Sequence, residues 1–148
     1  MTTIDHQLDS IARPEKIWAV LSKLDAVADY NPAILASRIK GTADHGLGAM
    51  RECDLAAKGK VVERVTVWDE GRSLGLEVAE SDWPIHFMRW VTHIEPRSNG
   101  SRLTQRLEYQ VKFGPLGWLL DRIVMRRTIA RNVEITLRGL IKMAEEPQ

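Results

Sequence analysis

The polar residues Arg127, Arg131, Glu134, Arg138, Lys142 and Glu145 recur at steps of three and four, so in a helix they share one side. The spacing predicts one long C-terminal helix over Pro115–Glu145, with Met125, Ile129, Val133, Leu140 and Met143 on the other side. Asn132 and Thr136 interrupt that apolar stripe. Burying an amide or a hydroxyl without a partner costs about 1–3 kcal/mol. The stripe is therefore expected to meet something polar or wet, and a cavity would satisfy it.

At the other end of the chain, Thr3–Ile11 alternates Ile4, His6 and Leu8 against Asp5, Gln7 and Asp9, the period of a strand. Ala12–Ser22 follows as a short helix with Pro14 in its first turn, where a missing N–H costs nothing, and Glu15 facing the helix dipole. Ile17, Trp18, Val20 and Leu21 form its apolar stripe. A second helical piece at Asp25–Asp29 ends before Asn31-Pro32, because a residue preceding proline is pushed out of the α region. From Ile34 the pattern changes to six short β runs: Ile34–Lys40, Ala49–Leu55, Lys60–Asp69, Ser73–Ala79, Phe87–Pro96 and Ser101–Phe113. Turn residues separate them at Gly46 and Gly48, Ala57-Lys58-Gly59, Asp69-Glu70-Gly71 and Arg97-Ser98-Asn99-Gly100. Only Glu80–His86 reads as a connection longer than a turn. The result is an α+β chain with seven antiparallel strands, two short helices after the first and one long helix at the end.

A length of 148 residues fits a single domain over 1–148 that builds its core without staples. A formal net charge of +1 provides no field for steering toward nucleic acid, so a neutral or apolar partner is expected. Cys53 is the only cysteine, which excludes an intramolecular disulfide and favours a reducing setting. The opening MTTIDHQLDS has no basic or apolar run of a secretory signal, so the expected location is cytoplasmic. The apolar window Leu116–Met125 is too short to span a bilayer and is broken by Asp121 and Arg122, so no stable membrane insertion is expected. Oligomeric state stays open between monomer and homodimer.

Particular residues then narrow the fold. Ala12-Arg13-Pro14-Glu15-Lys16-Ile17-Trp18, Tyr30-Asn31-Pro32, Gly46-Leu47-Gly48-Ala49-Met50-Arg51 and Val62-Glu63-Arg64-Val65 resemble the polyketide cyclase/dehydrase and lipid-transport family. That family belongs to the START-like, birch-pollen-allergen-like (SRPBCC) superfamily. The resemblance covers nearly the whole chain and implies the helix-grip fold, a curved sheet wrapped around the last helix. It also implies a cavity between sheet and helix for a small apolar or amphipathic ligand. Similar folds include plant hormone receptors, lipid-transfer proteins and aromatase/cyclases, so the fold does not choose between binding and catalysis.

Arg51 shares strand parity with Cys53 and Leu55, and Glu63 with Val61, Val65 and Val67. Both charges are expected on an inward face of adjacent strands, in contact, either as a polar anchor for a ligand or as an ion pair that fixes register. In abscisic acid receptors, which this region resembles, the glutamate matching Glu63 lines the pocket. At Asn31 the similar receptors carry a pocket lysine, so the cation is missing here and Arg51 is left as its substitute; ordinary turn chemistry also accounts for Asn31. Trp83 and Ile85 sit where related folds carry a loop over the cavity mouth. Leu76, Val78, Met88, Trp90, Met125 and Ile129 are candidates for the apolar wall, with Asn132 and Thr136 as sparse polar groups; Met88 and Trp90 serve equally as core. Trp68, on the face opposite Glu63, is expected to be exposed or in an interface.

His6, His45, His86 and His93 show no i, i+4 pairing and no accompanying acidic cluster, so neither a metal nor a cofactor is expected. His86 is the one histidine considered as an acid or base, and Cys53 reads as a small wall residue. The arginines 122, 126, 127 and 131 adjoin the apolar Leu116–Leu120 run, but Asp121 and Glu134 interrupt them and a solvated helix face is the simpler reading. Two functions remain. One is binding or transfer of a small hydrophobic or amphipathic ligand, lipid or polyketide-like. The other is an aromatase/cyclase-like enzyme in which Arg51, Glu63 or His86 moves a proton.

Overall fold

The structure is a computed structural model that describes residues 1–147. Seven strands run as β1 (Thr2–Ser10), β2 (Ile34–Lys40), β3 (Met50–Leu55), β4 (Lys60–Asp69), β5 (Ser73–Ser81), β6 (Ile85–Arg97) and β7 (Gly100–Val111). They form one antiparallel sheet in the order β1-β7-β6-β5-β4-β3-β2. Successive hairpins build β2 to β7, and β1 returns to pair with β7 from Thr2 opposite Tyr109 to Ser10 opposite Ser101. The chain therefore crosses from one sheet edge to the other between β1 and β2. Helix α1 (Pro14–Leu21) and a 3₁₀ helix (Leu24–Asp29) make that crossing, with Ile17, Trp18, Leu21, Leu24 and Val27 buried beneath them.

The C-terminal helix is continuous from Gly114 to Glu145 but not uniform: α2 (Gly114–Leu120), a widened π turn (Asp121–Met125) and α3 (Arg126–Glu145). A fourfold step in an α-helix drifts around the axis, and a π turn takes up that drift. Gly117 and Asp121, one turn apart, are both buried on the sheet side. Val133, Leu137, Leu140, Ile141 and Ala144 are buried along α3, which lies against α1 and β1. Arg127, Arg131, Arg138 and Lys142 are exposed, as the polar stripe requires. Both ends of the helix are tied to β1. Near the N-terminal end the Thr2 hydroxyl donates to Asp121 at 2.5 Å, and the Tyr109 hydroxyl donates to the same carboxylate. At the C-terminal end Glu145 accepts from the Ser10 hydroxyl at 2.7 Å and the Ile11 N–H at 3.2 Å. The curved sheet grips the helix along its length, which is the helix-grip arrangement.

Two sequence expectations change. The Glu80–His86 connection is shorter than its composition suggests, because β5 continues to Ser81 and β6 begins at Ile85. Trp68 points inward. A bulge between Val65 and Val67 shifts β4 by one residue, so Val67 faces Gly75 while Trp68 pairs with Leu74 and meets Trp18 edge-on, ring centroids 5.1 Å apart. An extra residue reverses the alternation beyond it, and nothing in the residue types at 65–68 announces it.

Candidate ligand-binding site

Strand register brings most of the candidate residues onto the face that the helix covers. Arg51 lies directly opposite Glu63, Glu63 opposite Val78, Leu76 opposite Trp90, and Met88 opposite Tyr109. Leu76 is buried, and Val78, Met88, Trp90 and Ile129 are half-buried against the core. Met125, in the π turn, is also half-buried.

Arg51 and Glu63 form a buried ion pair. Arg51 is 4% exposed and Glu63 8%; Nε of the first donates to Oε1 of the second at 2.7 Å, and Nη1 donates to the Leu24 carbonyl at 3.0 Å. The second bond ties β3 to the 3₁₀ helix, so the guanidinium joins sheet and crossover as well as neutralising Glu63. Burial is the largest single influence on Arg51 and by itself would lower its pKa, but Glu63 together with the neighbouring Tyr30 and Cys53 outweighs it and the net shift is upward. Tyr30 is buried beside the pair. Burial pushes its phenol up, against the pull of Arg51, so this corner carries one ion pair and one protonated phenol.

The helix completes the corner. Asn132 Nδ2 donates to Asn31 Oδ1 at 3.3 Å, and the same oxygen accepts the Ala33 N–H at 3.0 Å. Asn31 thus serves the turn and the helix together. One turn on, the Thr136 hydroxyl is buried with no hydrogen-bond partner among the described residues. Gly139 follows on the same side. A Cβ there would stand 2.8 Å from the Tyr30 carbonyl oxygen and 3.2 Å from the Tyr30 Cβ, so the missing side chain lets Tyr30 seat against α3. Sequence reasoning passed over Gly139 and Tyr30 as parts of the site; a lone glycine inside a strong helical pattern was the available signal.

The other candidates lie elsewhere. The Trp83 indole N–H donates to the Lys58 carbonyl at 3.2 Å, and Asp82 accepts the Lys60 N–H at 2.8 Å. Trp83 is therefore fastened to the β3–β4 hairpin. Ile85 is half-buried opposite Val111. His86 is exposed, edge-on to Phe87, and does not join Arg51 and Glu63. Two open clefts lie at opposite ends of the sheet. One of about 360 Å³ is lined by Thr2, Tyr109, Trp118, Asp121, Arg122 and Arg126 among others, and one of about 650 Å³ by the Ile11–Glu15, Glu70–Arg72 and Arg97–Gly100 segments. Neither is lined by the residues singled out from sequence for ligand contact.

Cys53 is fully buried next to Arg51, and burial pushes its thiol from 9.0 up to about 12. The folded protein is expected to resist a thiol reagent such as DTNB at pH 8 and to react fully once unfolded in guanidinium. The same shift sets a pH dependence. Because the folded pKa lies above the unfolded one, the contribution to stability is complete below about pH 9 and is lost as pH rises toward 12; Tyr30 acts in the same direction. Alkaline unfolding above pH 9, delayed in Cys53→Ala, is the expected result in a pH series of melting curves.

Residues 1–145 match the family model described as polyketide cyclase / dehydrase and lipid transport. The chain belongs to that family. Its helix-grip architecture recurs in a crystal structure from Thermus thermophilus, with a TM-score of 0.82 and 18% identity over 97% of each chain. It recurs in the Zhui aromatase/cyclase of Streptomyces sp. R1128, with a TM-score of 0.83 and 14% identity over 97% of this chain and 93% of that one. It recurs again in norcoclaurine synthase of Thalictrum flavum, solved with dopamine and hydroxybenzaldehyde, with a TM-score of 0.73 and 18% identity over 99% and 89%. At such identities the likeness is one of fold. No curated protein sequence matches the chain. Membership of the polyketide cyclase/dehydrase and lipid-transport family supports a ligand-binding or cyclase role, and among the described residues no helix is long and apolar enough to cross a membrane.

Proposed function

We propose that this protein binds or transfers a small hydrophobic or amphipathic molecule, lipid or polyketide-like, between the concave face of the sheet and helix α3. The observation that carries this reading is the unpartnered Thr136 hydroxyl. It is a buried polar atom in the stripe that faces the sheet, beside Asn132 and the Tyr30-Asn31 corner. An orphan of this kind costs about 1–3 kcal/mol, and a ligand's polar end would satisfy it. Leu76, Val78, Met88, Trp90, Met125 and Ile129 supply apolar surface, and Arg51, Glu63, Asn31 and Asn132 supply sparse orienting groups, the composition of a small-molecule site. Trp83 and Ile85, at the β5–β6 turn, would flank the entrance.

The polar groups favour binding over proton transfer. Glu63 already accepts from Arg51, and burial holds the Tyr30 phenol in its protonated form. A group engaged in this way orients a ligand rather than taking its proton. The aromatase/cyclase reading requires a free base, and His86 stands outside the corner.

Native mass spectrometry of the purified protein, followed by solvent extraction, tests the proposal by identifying a co-purifying apolar molecule. Thr136→Val then locates it. Loss of the hydroxyl is expected to weaken binding of that molecule about fivefold or more, the worth of one hydrogen bond, while the melting temperature without ligand stays level or rises. A variant that melts lower and binds unchanged would remove Thr136 from the site.

A further inference from the structure

The first turns of the C-terminal helix expose an apolar face. Phe113, Leu116, Trp118, Leu120, Ile123 and Val124 are each half or more exposed, over three successive turns. Contiguous apolar surface of this kind marks a contact site rather than ordinary solvated surface. Its charged border carries one sign. Arg122, Arg126 and Arg127 are exposed, and the Arg122 guanidinium sits 5.0 Å from the centre of the Trp118 ring. From Lys112 to Val133 the only acid is Asp121, and it is buried, accepting from Thr2 and Tyr109. Of the two acids that interrupt the arginines in the sequence, Asp121 points into the protein and Glu134 lies beyond the cluster, paired with Arg138, so the face around residues 113–127 carries one sign of charge.

We propose that this face docks on the surface of an anionic bilayer, with the Leu116–Val124 turns lying in the interface and the arginines against lipid phosphates. The partition is that of an interfacial amphipathic helix, with an apolar side, a basic border and an aromatic anchor. Arginine stems extend along the apolar surface while their heads reach the phosphates. A second copy of the chain is disfavoured as occupant. An isologous contact would gather the basic borders of both copies into one interface, with no exposed acid between residues 112 and 133 of either copy to pair them. The proposal does not depend on the ligand assignment above, because the residues and the face are different.

Flotation of the full-length protein with vesicles tests it, comparing phosphatidylcholine alone with phosphatidylcholine plus phosphatidylglycerol at low salt. The expected result is binding to the anionic vesicles, little to the neutral ones, and loss in high salt. Arg126→Gln with Arg127→Gln is expected to weaken vesicle binding about thirty-fold, near fivefold per cation, and Ile123→Asp about tenfold or more, with melting temperatures unchanged because these side chains are exposed. Failure to float with anionic vesicles, or equal flotation of Ile123→Asp, would overturn the proposal. So would a concentration-dependent dimer in sedimentation velocity that Ile123→Asp dissolves, since a second copy would then cover the face.

Discussion

Replacing Glu63 with alanine is expected to lower the stability of this protein by about 3–5 kcal/mol, because it strands the Arg51 charge in a buried site. Arg51 is nearly inaccessible and keeps only the Leu24 carbonyl once Glu63 is gone. At about 2–4 °C per kcal/mol for a chain of this size, the melting temperature falls by roughly 10 °C. Glu63→Gln keeps an acceptor for Nε and is expected to lose less. Arg51→Met with Glu63→Leu removes both charges and is expected to recover most of the loss, since a buried ion pair contributes little over a well-packed apolar replacement. The comparison separates two uses of the pair: ligand affinity that falls in the double variant, at restored stability, assigns it a role in binding beyond joining β3 to the 3₁₀ helix.

Leu137→Ala is expected to cost about 2–5 kcal/mol, the range for deleting a large side chain from a packed core. Leu137 is 1% exposed in the middle of α3, where the helix presses on the rest of the core. Ile135, two residues earlier, is 45% exposed. Its replacement by alanine is expected to stay within about 0.5 kcal/mol. Chemical denaturation of the two variants together measures how much of the fold depends on the helix being gripped. Equal effects would mean that the helical phase is misassigned.

The phase of α3 was legible because its arginines, glutamates and lysine repeat over five turns, and no strong competing period exists. The facing of Arg51 and Glu63 was equally legible, from a short hairpin and unbroken alternation between them. Trp68 was not, because a bulge reverses parity without changing composition. The π turn was also hidden. Asp121 reads in the sequence as a charge on a helix surface, whereas it is buried at the start of the widened turn, under Tyr109 and Thr2. Trp83 shows the remaining limit: loop chemistry identified an aromatic residue near the sheet's end, but its bond to Lys58 depends on where the neighbouring hairpin reaches.

The proposed ligand position is between the concave sheet and α3. The tryptophan indoles report on it directly, since Trp90 lies on the concave face, Trp83 on the hairpin and Trp118 on the exposed helix start. Two-dimensional ¹H–¹⁵N spectra recorded during titration with 1-naphthol, or with the molecule extracted from the purified protein, would resolve these three among the five indole N–H signals. Saturable shifts of the Trp90 indole and of the Asn132 and Thr136 amides are expected, with Trp118 unmoved. Shifts confined to Trp83 and Trp118, with Trp90 unchanged at saturation, would contradict that position.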